Sequence, residues 1–196
     1  MSDTAASPLH DRVREAMNQV PRADFLPDEV KHLASYDGPL PIGESQTNSQ
    51  PYTVEVMLQL LDVQPGQRVL DVGAGSGWTT AVLAHLVGKA GKVFGVERHA
   101  KLIEPARRAL AKHNAGQAEI GLAQTGVLGL SREGPFDRIL VSAQAWRIPD
   151  QLTEQLADGG IMVIPVSGVM RRVVRRGGNL DVSDHGLFRF VPLIED

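Results

Sequence analysis

Ten residues, Val69-Leu70-Asp71-Val72-Gly73-Ala74-Gly75-Ser76-Gly77-Trp78, constrain this chain more than any other stretch. An apolar run of strand length passes directly into glycines at alternate positions, and then into helix-forming sequence. Such glycines let the chain reverse sharply at the end of a strand, with no Cβ atoms blocking a ligand's close approach. Glu97 stands 20 residues after Gly77, at the end of the next apolar run, residues 92–96. An acid there, at the carboxyl end of a neighbouring strand, can accept hydrogen bonds from both hydroxyls of a ribose. Together the two features point to a nucleoside held where strand order reverses. Taken alone, the glycines admit a simpler role, that of joining strand to helix tightly.

The chain downstream repeats this alternation. Strands are expected at residues 68–72, 92–96, 120–123, 136–142 and 160–166, with helices at 78–87, 99–113 and 149–156. Residues 170–175 and 187–191 read as two more strands joined directly, hence an antiparallel edge. The implied fold class is α/β, a doubly wound, mostly parallel seven-stranded sheet with helices on both faces, Rossmann-like. Residues 1–60 read as a helical N-terminal extension carrying a substrate loop, and residues 61–196 as the nucleoside-binding domain. In the extension Ser7-Pro8 can open a helix, followed by a Val13, Met17, Val20 stripe that ends at Pro21. A short helix is expected at 28–34, and a long loop without secondary structure at 35–50. Pro51 can start the next helix, where Val54, Met57, Leu58 and Leu61 share one face.

Composition removes several classes of function. A length of 196 residues with 42% hydrophobic and 22% charged residues suits one soluble domain with a real core. The formal net charge of −3 argues against binding nucleic acid or anionic membranes through bulk charge. With no cysteine, there is no disulfide scaffold, thiolate nucleophile or thiolate-bound zinc. The six histidines show no metal spacing and read as surface or packing residues. Arg171, Arg172, Arg175 and Arg176 read more readily as the solvated face of an edge strand than as a site for an acidic peptide or nucleic acid. No leader-like N-terminus and no run approaching ~18–20 apolar residues is present. A cytoplasmic monomer is expected.

The glycine turn is G-x-G-x-G, not the G-x-G-x-x-G of dinucleotide sites, and no Gly-Lys-Ser/Thr phosphate loop follows it. A ligand without phosphate fits better. S-adenosyl-L-methionine is such a nucleoside, and its amino acid part carries an ammonium group for which Asp71 is the expected partner. The expected cofactor residues are Asp71, Gly73, Ala74, Gly75, Ser76, Gly77, Glu97 and Arg98. A second constellation lies upstream. Ser45, Gln46, Thr47, Asn48 and Ser49 crowd the start of the helix at Pro51. Hydroxyls, amides and free first-turn N–H groups can bind a carboxylate. By itself Ser49 reads more readily as a helix cap.

The wording of that loop adds a resemblance. Val20-Pro21-Arg22, Phe25-Leu26-Pro27, Tyr36-Asp37, residues 39–43, Gln46-Thr47 and Ser49-Gln50-Pro51 resemble the protein-L-isoaspartate O-methyltransferase family. The likeness continues through residues 71–78, Val96-Glu97-Arg98, residues 135–139, Ile148-Pro149, Gln155-Leu156 and residues 159–165, closing at Phe190-Val191-Pro192-Leu193. It implies methyl transfer from S-adenosylmethionine to the free α-carboxylate of L-isoaspartyl residues in damaged proteins. The resemblance puts the active-site serine at Ser49, with Gln46 and Thr47 beside it, and the adenine-binding run at Gln124, Thr125 and Gly126. Three positions depart from the family pattern: Ser45 replaces a glycine, Asn48 an apolar residue, and Thr125 an aspartate. These departures keep two other readings open, a methyltransferase with another acceptor and a non-catalytic S-adenosylmethionine-binding protein.

Overall fold

The computed structural model describes residues 9–113 and 115–195. The helix start at Ser7-Pro8 lies outside them. Seven strands form one sheet: β3 (Arg68–Val72), β4 (Lys92–Glu97), β5 (Ala118–Leu122), β6 (Phe136–Val141), β7 (Leu156–Val166), β8 (Val169–Arg176) and β9 (Asn179–Leu187). Their order is β5-β4-β3-β6-β7-β8-β9. The first five of these run parallel, while β8 and β9 are antiparallel additions. Strand order therefore reverses on the two sides of β3, which opens a crevice at the carboxyl ends of β3, β4 and β6.

Successive side chains on a strand face opposite sides of the sheet, and the core splits accordingly. Val69, Val93, Leu140 and Val163 face a cluster built with α1 (Leu9–Gln19), α2 (Pro51–Leu61), α3 (Trp78–Val87) and α4 (Ala100–Ala111). Leu70, Phe94, Ile139 and Met162 face the other way. The cover there is unequal, consisting of Leu128, Leu130 and the short α5 (Asp150–Thr153). The expected face of α2 holds: Val54, Met57, Leu58 and Leu61 are all buried.

Several expectations are corrected. The helix expected at 28–34 is reduced to a 3-10 turn, Lys31–Leu33. So short a segment gains little from helix propagation, and the carbonyls of Ala34, Tyr36 and Gly38 turn instead toward Arg22. The long loop contains a hairpin, β1 (Leu40–Gly43) and β2 (Gln46–Asn48), with Leu40 and Ile42 buried alternately. Glu44 and Ser45 at its turn have φ of +50° and +57°, the hand that matches strand twist. A glycine adopts this conformation without strain, which gives the Ser45 departure a physical meaning. The helix expected at 149–156 shrinks to α5, because Leu156 already pairs with Phe136 as the start of β7. The last strand is not 187–191 but β9, joined to β8 by Gly177-Gly178.

Candidate functional site

A cleft of about 550 Å³ occupies the crevice, within the usual size range for small-molecule sites. Three walls enclose it. Gly73, Ala74, Gly75 and Ser76 of the turn after β3, with Glu97 and Arg98, make the first. Gln46, Thr47, Asn48 and Ser49 make the second, while Gln124, Thr125 and Gly126 extend the first at its far end. Ser142 after β6 and residues 191–195 make the third.

The first wall is shaped by backbone geometry. Gly73, Gly75 and Gly77 have φ of +83°, +54° and +86°. The Gly75 N–H donates to Glu97 Oε2 and the His99 N–H to Oε1, each at 2.8 Å. Each oxygen keeps a lone pair, so the carboxylate is oriented by the protein yet still able to accept from a diol. Gly77 does not line the cleft. A Cβ there would sit 3.0 Å from Ile120 Cδ1 and 3.3 Å from Ala106 Cβ, so its role is close packing of the start of α3. Trp78 is a packing residue. Its Nε1 donates to the Val20 carbonyl at 2.9 Å, and the Arg22 guanidinium lies 5.7 Å from its ring centre.

Asp71 overturns its expected role. Alternation along β3 places it on the same side as Val69, away from the cleft lining, where Thr80 Oγ1 of α3 donates to Oδ2 at 2.7 Å. Its Oδ1 has no hydrogen-bond partner among the described residues. Burial pushes its pKa up to about 7, Thr80 pulls it down and the Glu97 charge adds to the rise. Fully buried on the α3 side, Asp71 does not reach the cleft as a direct ammonium partner. With this pKa raised, the native protein keeps a proton that the unfolded chain has released between roughly pH 4 and pH 7. Stability attributable to this group is therefore lost as pH rises through that window and stays low above it. Asp71→Asn keeps an acceptor for Thr80 without the charge. In denaturant titrations its stability relative to the parent chain should rise by about 3 kcal/mol between pH 5 and pH 8.

The second wall rests on a residue whose role the sequence does not announce. Arg22, 6% exposed, donates from Nε to Asn48 Oδ1 at 2.6 Å and from Nη1 to the Tyr36 carbonyl at 2.9 Å. Its Nη2 donates to the carbonyls of Gly38, Asn48 and Ser49 at 2.8, 3.1 and 2.9 Å. One guanidinium thereby gathers the loop, β2 and the serine-bearing segment. Burial lowers its pKa, which the nearby Asp37 charge partly offsets. Asp37 also caps α2, accepting from the Tyr52 N–H at 3.0 Å. Gln50, not Ser49, is the N-cap position of that helix, so capping does not account for Ser49.

The third wall was unassigned in the sequence. The Gln144 N–H donates to the Val191 carbonyl and the Leu193 N–H to the Gln144 carbonyl, closing residues 191–193 over Ser142 and Ala143. The arginines of β8 turn to structural partners: Arg171 pairs with Asp184 and Arg176 with Asp181. Arg172 donates to the Leu60 carbonyl and Arg175 to those of Thr153 and Leu156. The outer strand is β9, so β8 is not the edge.

The family model for protein-L-isoaspartate(D-aspartate) O-methyltransferase (PCMT) matches residues 4–196. The chain belongs to this family. A protein-L-isoaspartate O-methyltransferase of Methanothrix thermoacetophila is 45% identical over 188 residues, covering 95% of this chain and 89% of that relative. One from Methylorubrum populi is 44% identical over 186 residues, covering 92% and 85%. Among solved structures, a Plasmodium falciparum protein described as a family member in complex with S-adenosyl-L-homocysteine superposes with a TM-score of 0.85. It is 26% identical, and the match covers 95% of this chain and 91% of that one. Among the described residues no helix is long and apolar enough to cross a membrane.

Proposed function

We propose that this protein transfers a methyl group from S-adenosyl-L-methionine to the free α-carboxylate of L-isoaspartyl residues in damaged proteins and peptides. The single observation that carries this reading is one cleft with a nucleoside-shaped wall, the glycine turn and Glu97, facing a wall that ends in Ser49. The residues present fit the cofactor. Gly73 and Gly75 take the positive φ that the sharp turn lining the cleft requires, Glu97 offers an oriented carboxylate for the ribose hydroxyls, and Gln124, Thr125 and Gly126 lie where the adenine would end. Thr125 is a weaker acceptor than the family's aspartate, since hydrogen bonds to charged groups exceed neutral ones by about 1 kcal/mol. Residues 1–60 supply the acceptor side and residues 61–196 the cofactor side. The same reading has the protein act as a cytoplasmic monomer on polypeptide substrates, without nucleic-acid or membrane partners.

When bound, the cofactor supplies an electrophilic methyl group on a sulfonium. The rest is positioning. A carboxylate with a pKa near ~4 is already ionised at neutral pH, so no general base is required of the chain. Ser49 would hold one carboxylate oxygen in line with the methyl, with Gln46 and Thr47 beside it; such alignment supplies several kcal/mol (about 7–11 in ideal cases). The following backbone nitrogen attacks the methyl ester so formed and expels methanol, giving a succinimide that water partly reopens to ordinary aspartate.

Labelled methyl groups offered with isoaspartyl and aspartyl versions of one peptide test the reading. Base-labile label in the isoaspartyl peptide alone is expected. Label elsewhere would assign another acceptor, and tight cofactor binding without transfer would leave a binding protein.

A further inference from the structure

Asn48 connects the two walls of the cleft, and its hydrogen bonds have a forced direction. Arg22 Nε can only donate, so the Asn48 oxygen must face it, at 2.6 Å. The Asn48 amide nitrogen then faces Ser76 Oγ, at 3.0 Å. An amide NH2 group can only donate, so Ser76 must accept. A hydroxyl carries one proton, and this contact uses a lone pair. The Ser76 proton is left to be given elsewhere, and Ser76 lines the same cleft as Ser49 and Glu97. Asn48 is 5% exposed, so water does not readily compete for this chain of donors. An apolar residue at position 48 would leave Arg22 Nε without this partner and the Ser76 hydroxyl free to rotate.

We propose that Ser76 is a carboxylate-binding donor of the cleft, and that Asn48 is the positioning residue that directs its proton there. The inference rests on the methyl-transfer reading for the identity of the ligands. Both carry a carboxylate, one on the amino acid part of the cofactor and one on the isoaspartyl acceptor. A hydrogen bond to a charged group is roughly twice as strong as a neutral one, so loss of the donor is measurable.

Two substitutions separate direction from shape. Ser76→Ala removes the donor. Asn48→Asp keeps the shape and the Arg22 contact, but two carboxylate oxygens can only accept, so the Ser76 proton is drawn away from the cleft. Calorimetry with S-adenosyl-L-homocysteine and with 5′-methylthioadenosine, which lacks the amino acid carboxylate, reads the outcome. Both variants should bind the former about tenfold more weakly and the latter within twofold of the parent chain. If S-adenosyl-L-homocysteine binds normally and KM for an isoaspartyl peptide rises about tenfold in both variants, Ser76 serves the acceptor's carboxylate, and the donor role still stands. Equal losses on 5′-methylthioadenosine, no loss in any assay, or a loss in Asn48→Asp without one in Ser76→Ala would overturn it. Tighter S-adenosyl-L-homocysteine binding by Asn48→Asp would also overturn it, since an ammonium group would then be the partner of Ser76. A parent chain that binds no S-adenosyl-L-homocysteine would instead sink the cofactor reading itself.

Discussion

Replacing Arg22 with alanine is expected to lower the melting temperature by about 6–12 °C, the equivalent of about 3 kcal/mol in a chain of this length. Five carbonyl oxygens and the Asn48 amide oxygen lose this donor together. Leaving one buried polar group unmade costs roughly 1–3 kcal/mol. The sum falls short of six separate penalties, because the Tyr36 carbonyl keeps the Gly38 N–H and the cavity left by a guanidinium can admit water. Arg22→Lys should recover only part of the loss. An ammonium has three donors on a flexible stem and cannot reproduce a planar fork reaching acceptors on several sides. Circular dichroism melts measure the stability. Peptide kinetics measure the second consequence: Ser49 is tethered through its own carbonyl to Arg22, so KM for the acceptor should rise in the lysine variant even below its melting range. A lysine variant that matches the parent in both would mean that the arginine fork is not what holds the loop.

Arg22 also shows where sequence reading stops. Its partners lie 12 to 27 residues away, and no local periodicity or turn rule links positions so far apart. The glycine turn and Glu97 were legible because each is a local signal, and a parallel sheet brings the two together automatically. The position of Asp71 was legible in principle. Counting two residues on from the inward Val69 places it toward α3, and the presence of an acid before the glycines obscured that parity. Strand β9 was hard to read because its burial pattern is almost uniformly exposed, and its apolar alternation is confined to Leu180 and Val182 before the polar run Ser183-Asp184-His185. Its clearest signal was Gly177-Gly178, a pair suited to a two-residue hairpin. The hairpin at residues 40–48 was hidden similarly, its buried Leu40 and Ile42 separated by a proline that breaks the strand pattern. The third wall carried a recognisable run, residues 190–193, but no chemistry that assigns it a place.

Ser49→Ala should slow methyl transfer about a hundredfold while leaving the affinity for S-adenosyl-L-homocysteine within twofold, in line with losses from single positioned donors in other active sites. The asymmetry follows from the walls. On the proposed reading, cofactor contacts come from the glycine turn, Glu97 and residues 124–126, which Ser49 does not support. Ser49 lines the cleft on the wall proposed for the acceptor, and its backbone is held by Arg22 whether or not the hydroxyl is present. Folding should therefore survive the change, and the melting temperature should stay close to that of the parent. The split between kcat and KM adds a second constraint. A hydroxyl that only binds the acceptor would raise KM alone, whereas one that aligns the oxygen with the methyl lowers kcat at saturating peptide. The pH profile of kcat should be flat from pH 6 upward in parent and variant alike, because the acceptor carboxylate is ionised throughout and no base on the chain is required. Equal losses of cofactor affinity and of rate would instead make Ser49 a structural residue and move the search for the acceptor's partner to Gln46 and Thr47.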